Sequence, residues 1–417
     1  MRLKTSESAL EGAYEPSYFF MIIDTTEKLD EGLDTHTQTF IHEYIHFIQD
    51  IFLSYCIRYN ISEVNRFLSV TEKAKQGVIV RPFKDWSHET LCLDQQFEHT
   101  WGQTNFIDNV SHITDYESEI YLIKEIDARV FKYTANIIPE GTYQVGARDM
   151  LEYIAHKIES KHWPTEQPDI PYRTMELVFN NLQLGEMPTT CKIALIEFCL
   201  QNDNPVHHLF KTVETIRSGS LGVEGIEECL YDFTQLNHTL KRFLWGARGG
   251  FRETIETKVT RRLSTMKEYL EDKYPSNIFS DINTWINDVI HYVSTHLKGR
   301  LFFAELYEKD KPNFLAEIDL LISTLGIPLI FNAHEEHISL LPKKYKSEQF
   351  IQFYASYKFN EFLKTKEKTC PLCRYCENST PDLMDDECTS NSILRAARDS
   401  SCPFGQFINN HDLNNME

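Results

Sequence analysis

The chain has 417 residues, 41% of them hydrophobic and 12% aromatic, and a formal net charge of −20. Such length and apolar content belong to a globular protein of two or three domains and exclude a disordered chain. The acidic balance speaks against a nucleic-acid partner, which needs clustered Lys and Arg, and no apolar run reaches the roughly 18 residues of a membrane span.

Met1 to Tyr14 lacks the apolar core of a secretory signal, so a reducing cytoplasm is the expected compartment and a disulfide framework is not expected. Residues 15–24 are rich in aromatic and β-branched side chains and predict a strand. A helix is predicted from Thr37 to about Arg58, entered through a polar segment, Asp34 to Thr39, suited to capping. A second helix is predicted from Ser62 to about Lys75. Val78–Trp86 and Phe97–Ile113 read as irregular or strand-like, and the alternation over Ile120–Ile138 predicts paired strands, with a helix as the alternative. After a turn at Pro139-Glu140-Gly141 a helix is predicted over Gly146–Ser160.

Three prolines between Pro164 and Pro171 mark a linker. Beyond it the pattern is helical, over Thr174–Leu184, Cys191–Gln201, Glu224–Gly246, Arg252–Asp272, Ile278–His296 and Asn313–Leu325. Ile327–Leu341 reads as a short hairpin and Lys346–Lys364 as a last amphipathic helix before a Cys-rich tail. The fold class is therefore α+β and mainly helical, with segments at 1–163, 164–345 and 346–417.

The first predicted helix contains His42-Glu43-Tyr44-Ile45-His46, an H-E-x-x-H motif set among apolar residues. Side chains four apart share a helix face, so His42 and His46 can point at one spot, and neutral imidazole is a good zinc ligand. Glu43, beside the first ligand, is placed to take a proton from a metal-bound water. The bland alternative is a satisfied pair of core histidines, since three specified positions recur by chance. The apolar setting argues for the metal, because ionisable groups are seldom buried without partners.

Two histidines need a third protein ligand. The extended form H-E-x-x-H-x-x-G-x-x-H is absent, with Gln49 and Phe52 at the glycine and last histidine positions. Glu152 is the first candidate, on a predicted helix with the small Ala155 nearby to permit close helix approach. Glu125, in Glu125-Ile-Asp-Ala128, is the alternative.

On this motif and Glu152 the segment 15–160 resembles the zincin metallopeptidases, in the branch whose third ligand is a glutamate on a later helix. The resemblance implies a zincin-like N-terminal catalytic domain, with His42, His46 and Glu152 as ligands and Glu43 as general base. It also implies a sheet whose edge strand pairs with substrate, to which the 15–24 strand is assigned. The Asn-Glu pair of that branch is missing, Leu151 preceding Glu152. Zinc would bring the pKa of its water from about 15.7 towards about 7. Tyr153 and His156 are candidate oxyanion donors, and Gln49 or Asp50 candidates to orient an imidazole.

In the tail, Cys370-Pro-Leu-Cys373-Arg-Tyr-Cys376 is followed by Cys388 and Cys402. C-x-x-C turns two thiolates towards one metal, so a second zinc ion, an iron–sulfur cluster or redox-active thiols are the readings of these five cysteines. The leading function is a zinc peptidase acting on a restricted protein or peptide substrate, with a regulatory protein partner and no membrane or nucleic-acid partner. The alternatives are a non-catalytic helical interaction protein with a structural or vestigial metal site, and a hydrolase of other amides.

Overall fold

The computed structural model describes all residues except 1–2, 5–11, 30–32, 34, 140, 165–166, 219–225, 242–244, 247–251, 399–400 and 417. It is a mainly helical α+β chain with two small sheets and a Cys-rich C-terminal region. Among the described residues no helix is long and apolar enough to cross a membrane.

The first sheet has five short strands: β1 (Leu3–Lys4), β2 (Gly12–Glu15), β3 (Phe20–Ile23), then β7 (Leu329–Phe331) and β8 (His337–Ile338) in that spatial order. The second is a three-stranded meander of β4 (His112–Ile123), β5 (Ala128–Ile138) and β6 (Gly141–Val145). A ribbon pairs Trp245–Gly246 with Arg252–Glu253. Strand β3 runs antiparallel to β2 and parallel to β7, Met21 standing opposite Ile330. The first sheet is thus closed by strands more than 300 residues apart in sequence, the kind of long-range pairing that local pattern does not report.

The predicted strand at 15–24 is therefore the end of β2, a turn and β3 rather than one strand, and β3 lies inside the sheet. The hairpin turn places Ser17 and Phe19 at positive φ, 72° and 51°. What holds it is Asp50, whose carboxylate accepts from the Ser17 amide at 2.9 Å and the Tyr14 hydroxyl at 2.8 Å. Ser17 Oγ in turn donates to Asn60 at 2.6 Å.

The motif helix, α1, spans Thr37–Phe52 and the next, α2, Ser54–Gln76. The break at Leu53 comes earlier than the predicted end near Arg58. It is imposed from outside: the Ser54 amide donates to the Gln201 side chain (2.9 Å) and the Tyr55 amide to the Leu200 carbonyl (3.0 Å). Arg262 then binds the Ser54 carbonyl at 2.6 Å. The start of α1 carries no side-chain cap, His36 standing at the N-cap; Asp34 lies outside the described residues.

Helix α3 (His88–Trp101) covers part of a stretch expected to be irregular, and Ser87 caps it by accepting from the Thr90 amide. Helix α4 (Ala147–His162) agrees with expectation, although β6 precedes it. From the Pro-rich segment, Ile170 pairs with Ile107, and Asp169 accepts from the Val110 amide at 2.9 Å. The helices Pro205–Arg217 and Phe302–Glu308 escaped the sequence reading, as did Cys373–Ser379, Ser392–Arg398 and Pro403–Asn410 in the tail. The described residues of the predicted Glu224–Gly246 helix hold a 3-10 turn at Ile226–Tyr231, the helix Phe233–Leu240 and the strand Trp245–Gly246.

Every residue of α1 from Thr39 to Phe52 is buried. Its apolar side chains join an aromatic core in which Phe47 stacks on Trp285 at 6.4 Å and Phe52 meets Phe302 edge-on at 5.0 Å. Burial also pushes the Asp50 carboxyl up to about 7 against the bonds from Ser17 and Tyr14. An acid raised in the folded state is protonated there while ionised in the unfolded chain. Its contribution to stability is complete below the unfolded value near 4 and is lost as pH rises towards 7, with a slope of at most about 1.4 kcal/mol per pH unit. Urea midpoints measured between about pH 4 and pH 8 are therefore expected to lose this falling component in Asp50→Asn; the same slope in both proteins would show that Asp50 does not titrate there.

Candidate metal centre

Spacing of four along α1 brings His42 Nε2 and His46 Nε2 within 3.1 Å of each other. Glu152 reaches them from α4, its Oε2 lying 3.4 Å from His42 Nε2 and 3.3 Å from His46 Nε2. For zinc bonded to nitrogen and oxygen at about 2.0–2.1 Å, a tetrahedron has edges of about 3.3 Å. The three donor atoms thus stand at close to the separations a bound ion would require. The fully buried Ala155 lies on the same helix three residues after Glu152, consistent with the close approach of α4 to α1.

The electrostatics ask for a cation at this point. Burial alone would raise the Glu152 carboxyl, but the imidazoles of His46 and His42 overcome it and hold the carboxyl well below the usual range. Burial likewise opposes a charge on His42, yet its bonds to Glu152 and Glu159 push it well above an ordinary imidazole. Beyond the two imidazoles at 3.3–3.4 Å, neither carboxylate oxygen of Glu152 has a partner among the described residues, and both are buried. A carboxylate and two imidazoles so placed fit a divalent ion, the His-His-Glu set being common for zinc.

Each imidazole is fixed through its other nitrogen. Glu159, seven residues beyond Glu152 and on the same face of α4, meets His42 Nδ1 at 2.7 Å. Gln49 meets His46 Nδ1 at 2.8 Å, and its amide donates to the Leu151 carbonyl at 3.0 Å, tying the motif helix to the backbone that carries the third ligand. Gln38 donates to the second oxygen of Glu159. Gln49 is thus an imidazole partner as expected, whereas Asp50 is committed to the hairpin turn.

Glu43 is 1% exposed and lies against β2. A Cβ at Gly12 would stand 2.9 Å from Glu43 Oε1 and 2.7 Å from Thr39, so a glycine there leaves room for the carboxylate. Of the expected oxyanion donors, Tyr153 is turned away, its hydroxyl donating to Glu176 at 2.8 Å. His156 stays near, and burial lowers it to about 4, leaving it neutral at pH 7. Its ring lies 5.4 Å from that of Tyr172, which is 6.1 Å from the His42 ring. Burial and then the charges of Glu152, Glu43 and Glu159 raise the Tyr172 phenol, placing this residue among the carboxylates of the site. Sequence reasoning missed Tyr172 and Glu159. Only the seven-residue spacing from Glu152 could have pointed to Glu159.

Among the described residues, two sets have donor atoms all within 4.8 Å of one another: His42, His46 and Glu152, and a separate set of His88, Cys92 and Glu125. Glu125, the alternative third ligand, therefore belongs elsewhere. The tail cysteines are in neither set. They form no disulfide, and Cys373, Cys376, Cys388 and Cys402 are buried while Cys370 is half-buried. The Cys370 amide donates to the Cys388 carbonyl at 2.7 Å, joining the C-x-x-C-x-x-C segment to its distant partner. Burial pushes the Cys376 thiol up to about 11, with Cys402, Cys388 and Cys373 adding to the effect.

No family model, no curated protein and no solved structure matches this chain. The likeness to zincins accordingly rests on the motif and on the triad geometry.

Glu159→Ala and Gln49→Ala are each expected to weaken metal binding about 10–100-fold, and His46→Ala to remove the motif metal altogether. Competition against a chromogenic chelator reads all three. Undiminished affinity in Glu159→Ala would show that the Nδ1 contact does not support the ligand.

Proposed function

We propose that the chain is a zinc-dependent hydrolase that cleaves peptide bonds in a restricted protein substrate. The observation that carries this reading is the placement of Glu152 against His42 and His46, with Glu43 next to the first ligand. Three protein donors leave a coordination position open to water, whereas structural zinc sites are closed by a fourth donor. When bound, zinc would supply a Lewis acid and an acidified water.

The remaining chemistry falls to side chains. Glu43 accepts the proton of the attacking water and returns it to the leaving amine, a contribution of about 10²–10⁴-fold. Tyr172 is the side chain best placed to donate to the developing oxyanion, with neutral His156 beside it. Glu159 and Gln49 keep the imidazoles aimed, and enclosure keeps the local dielectric low, which strengthens each of these interactions.

Access suggests the substrate's character. A cavity of about 10 Å³, room for about one water, touches His46, Gln49 and Asp50 and is bounded by Tyr59. Tyr59 also borders an open cleft edged by Glu15, Glu63, Asp94, Glu98 and Glu361, with Arg66 and Lys364 as its cations. Five carboxylates against two cations suit a basic segment. In this reading Tyr59 moves aside to admit it, and a regulatory partner that opens the site fits the same scheme. The tail thiols are where we place a second zinc ion or an iron–sulfur cluster.

The enclosure favours one other reading. His42, Glu43 and His46 are each 1% exposed and Glu152 is fully buried, as in a metal site that only holds helices together. The two readings part at Glu43, which a purely structural site does not need. In the hydrolase, Glu43→Gln keeps the motif zinc and loses turnover on basic peptides, scored by mass spectrometry of the products. Hydrolysis retained by that variant would sink the assignment, and no hydrolysis by the zinc-loaded parent would leave the structural reading in place.

A further inference from the structure

The second donor set lies away from the motif and is drawn from two elements. His88 and Cys92 stand four apart on α3, the same spacing as the two motif histidines, so they share one helix face. Glu125 comes from the turn Lys124–Ile126 that joins β4 to β5, a turn ended by Asp127 in the left-handed region at φ 46°. The separations are 4.0 Å from His88 Nε2 to Cys92 Sγ and 3.8 Å from His88 Nε2 to Glu125 Oε1.

We propose that His88, Cys92 and Glu125 form a surface site for a borderline divalent cation, zinc foremost, with its fourth position left to water. With metal–nitrogen bonds of about 2.0–2.1 Å and a metal–sulfur bond of about 2.3 Å, tetrahedral edges are about 3.3–3.6 Å. Closing the two edges from His88 takes movements of a few tenths of an ångström, and the Cys92–Glu125 edge starts within 4.8 Å. The His88 and Glu125 side chains are 70% and 49% exposed, so they are free to make them and open to ions in solution. Cys92 is anchored, packed with Ile123 and Val130 beneath Tyr121.

The chemistry of the set selects the ion. One imidazole, one thiol and one carboxylate suit zinc or a neighbouring transition metal, and not calcium or magnesium, which take oxygen donors. The simpler reading is an exposed His–Glu ion pair beside an idle cysteine, but at 3.8 Å and this exposure such a pair contributes little. Burial, with Glu125 and Glu89, raises the Cys92 thiol. A bound cation reverses that preference and releases the thiol proton to solvent. The bound ion would fasten the tip of the β4–β5 hairpin to α3, two elements otherwise joined there by the small apolar cluster around Cys92.

The test uses the full chain carrying His46→Ala, so that motif zinc does not contribute, with zinc ion as the only probe. Bound zinc is counted at equilibrium, by dialysis against zinc ion and element-resolved mass spectrometry, alone and with Cys92→Ser, His88→Ala or Glu125→Gln added. His88 and Glu125 are exposed, so their variants leave the core intact. The expected result is the loss of one zinc equivalent in Cys92→Ser and in His88→Ala. Alkylation of Cys92, resolved by peptide, is expected to slow with zinc in the parent and not in His88→Ala. An equal zinc count in parent, His88→Ala and Cys92→Ser overturns the proposal, whether or not Cys92 reacts in the folded chain. Because the motif is already disabled, failure here leaves the hydrolase reading untouched.

Discussion

Helix α1 buries six polar or ionisable side chains, Thr39, His42, Glu43, His46, Gln49 and Asp50, in the interior of the protein. A buried polar group left without a partner costs on the order of 1–3 kcal/mol, and a buried charge more. The neighbours of α1 are arranged as answers to that demand. Helix α4 supplies Glu152, Glu159 and the Leu151 carbonyl along one line, and the β2–β3 hairpin supplies the Tyr14 hydroxyl and the Ser17 amide to Asp50. Gly12 brings β2 against Glu43. The same contacts that satisfy the helix also orient the triad, so stability and site geometry are one problem here.

This accounts for which parts of the site could be read from the chain. His42, Glu43 and His46 declare themselves because their spacing lies within one helix. Glu152 was reachable because a small residue nearby on its helix signals close packing, and Gln49 because it lies one turn from His46. Glu159 and Tyr172 were not, since nothing local distinguishes them from other glutamates and tyrosines; only the crossing of α4 over α1 and the turn at Asp169–Tyr172 bring them in. The break at Leu53 failed for a related reason. No glycine or proline marks it, and the amides that end the helix are captured by Gln201 and Leu200, nearly 150 residues away. Strand β3 was legible as a strand but not as an interior one, because its partner β7 follows some 300 residues later.

Enclosure has two consequences that pull against each other. A dry site strengthens the fields of Glu43, Tyr172 and the ligands on any charge that develops there. It also bars an extended peptide, since the cavity beside His46 has room for about one water and ends at Tyr59. Under the hydrolase proposal, chemistry and access would therefore belong to different states of the same residues. Tyr59 is packed between Phe97, at 5.1 Å, and Trp101, at 6.2 Å, both on α3. Moving it means shifting α3 or turning an aromatic side chain inside a packed cluster, a discrete rearrangement rather than a continuous one.

Helix α3 thereby links the two metal-competent sets. Its first turns carry His88 and Cys92, and its last turns carry the aromatic residues that hold Tyr59 in front of the motif cavity. At the motif, all three donors are buried and each imidazole is fixed by a second partner, an arrangement suited to tight and slow exchange. On α3, two of three donors face water and, among the described residues, no second partner restrains His88 beyond Glu125 and Cys92, an arrangement suited to an ion that comes and goes. An ion that pins the β4–β5 tip to the start of α3 would also stiffen the helix on which the Tyr59 contacts depend. Under the two proposals together, occupancy of the exposed set and opening of the enclosed one would be coupled through that one helix.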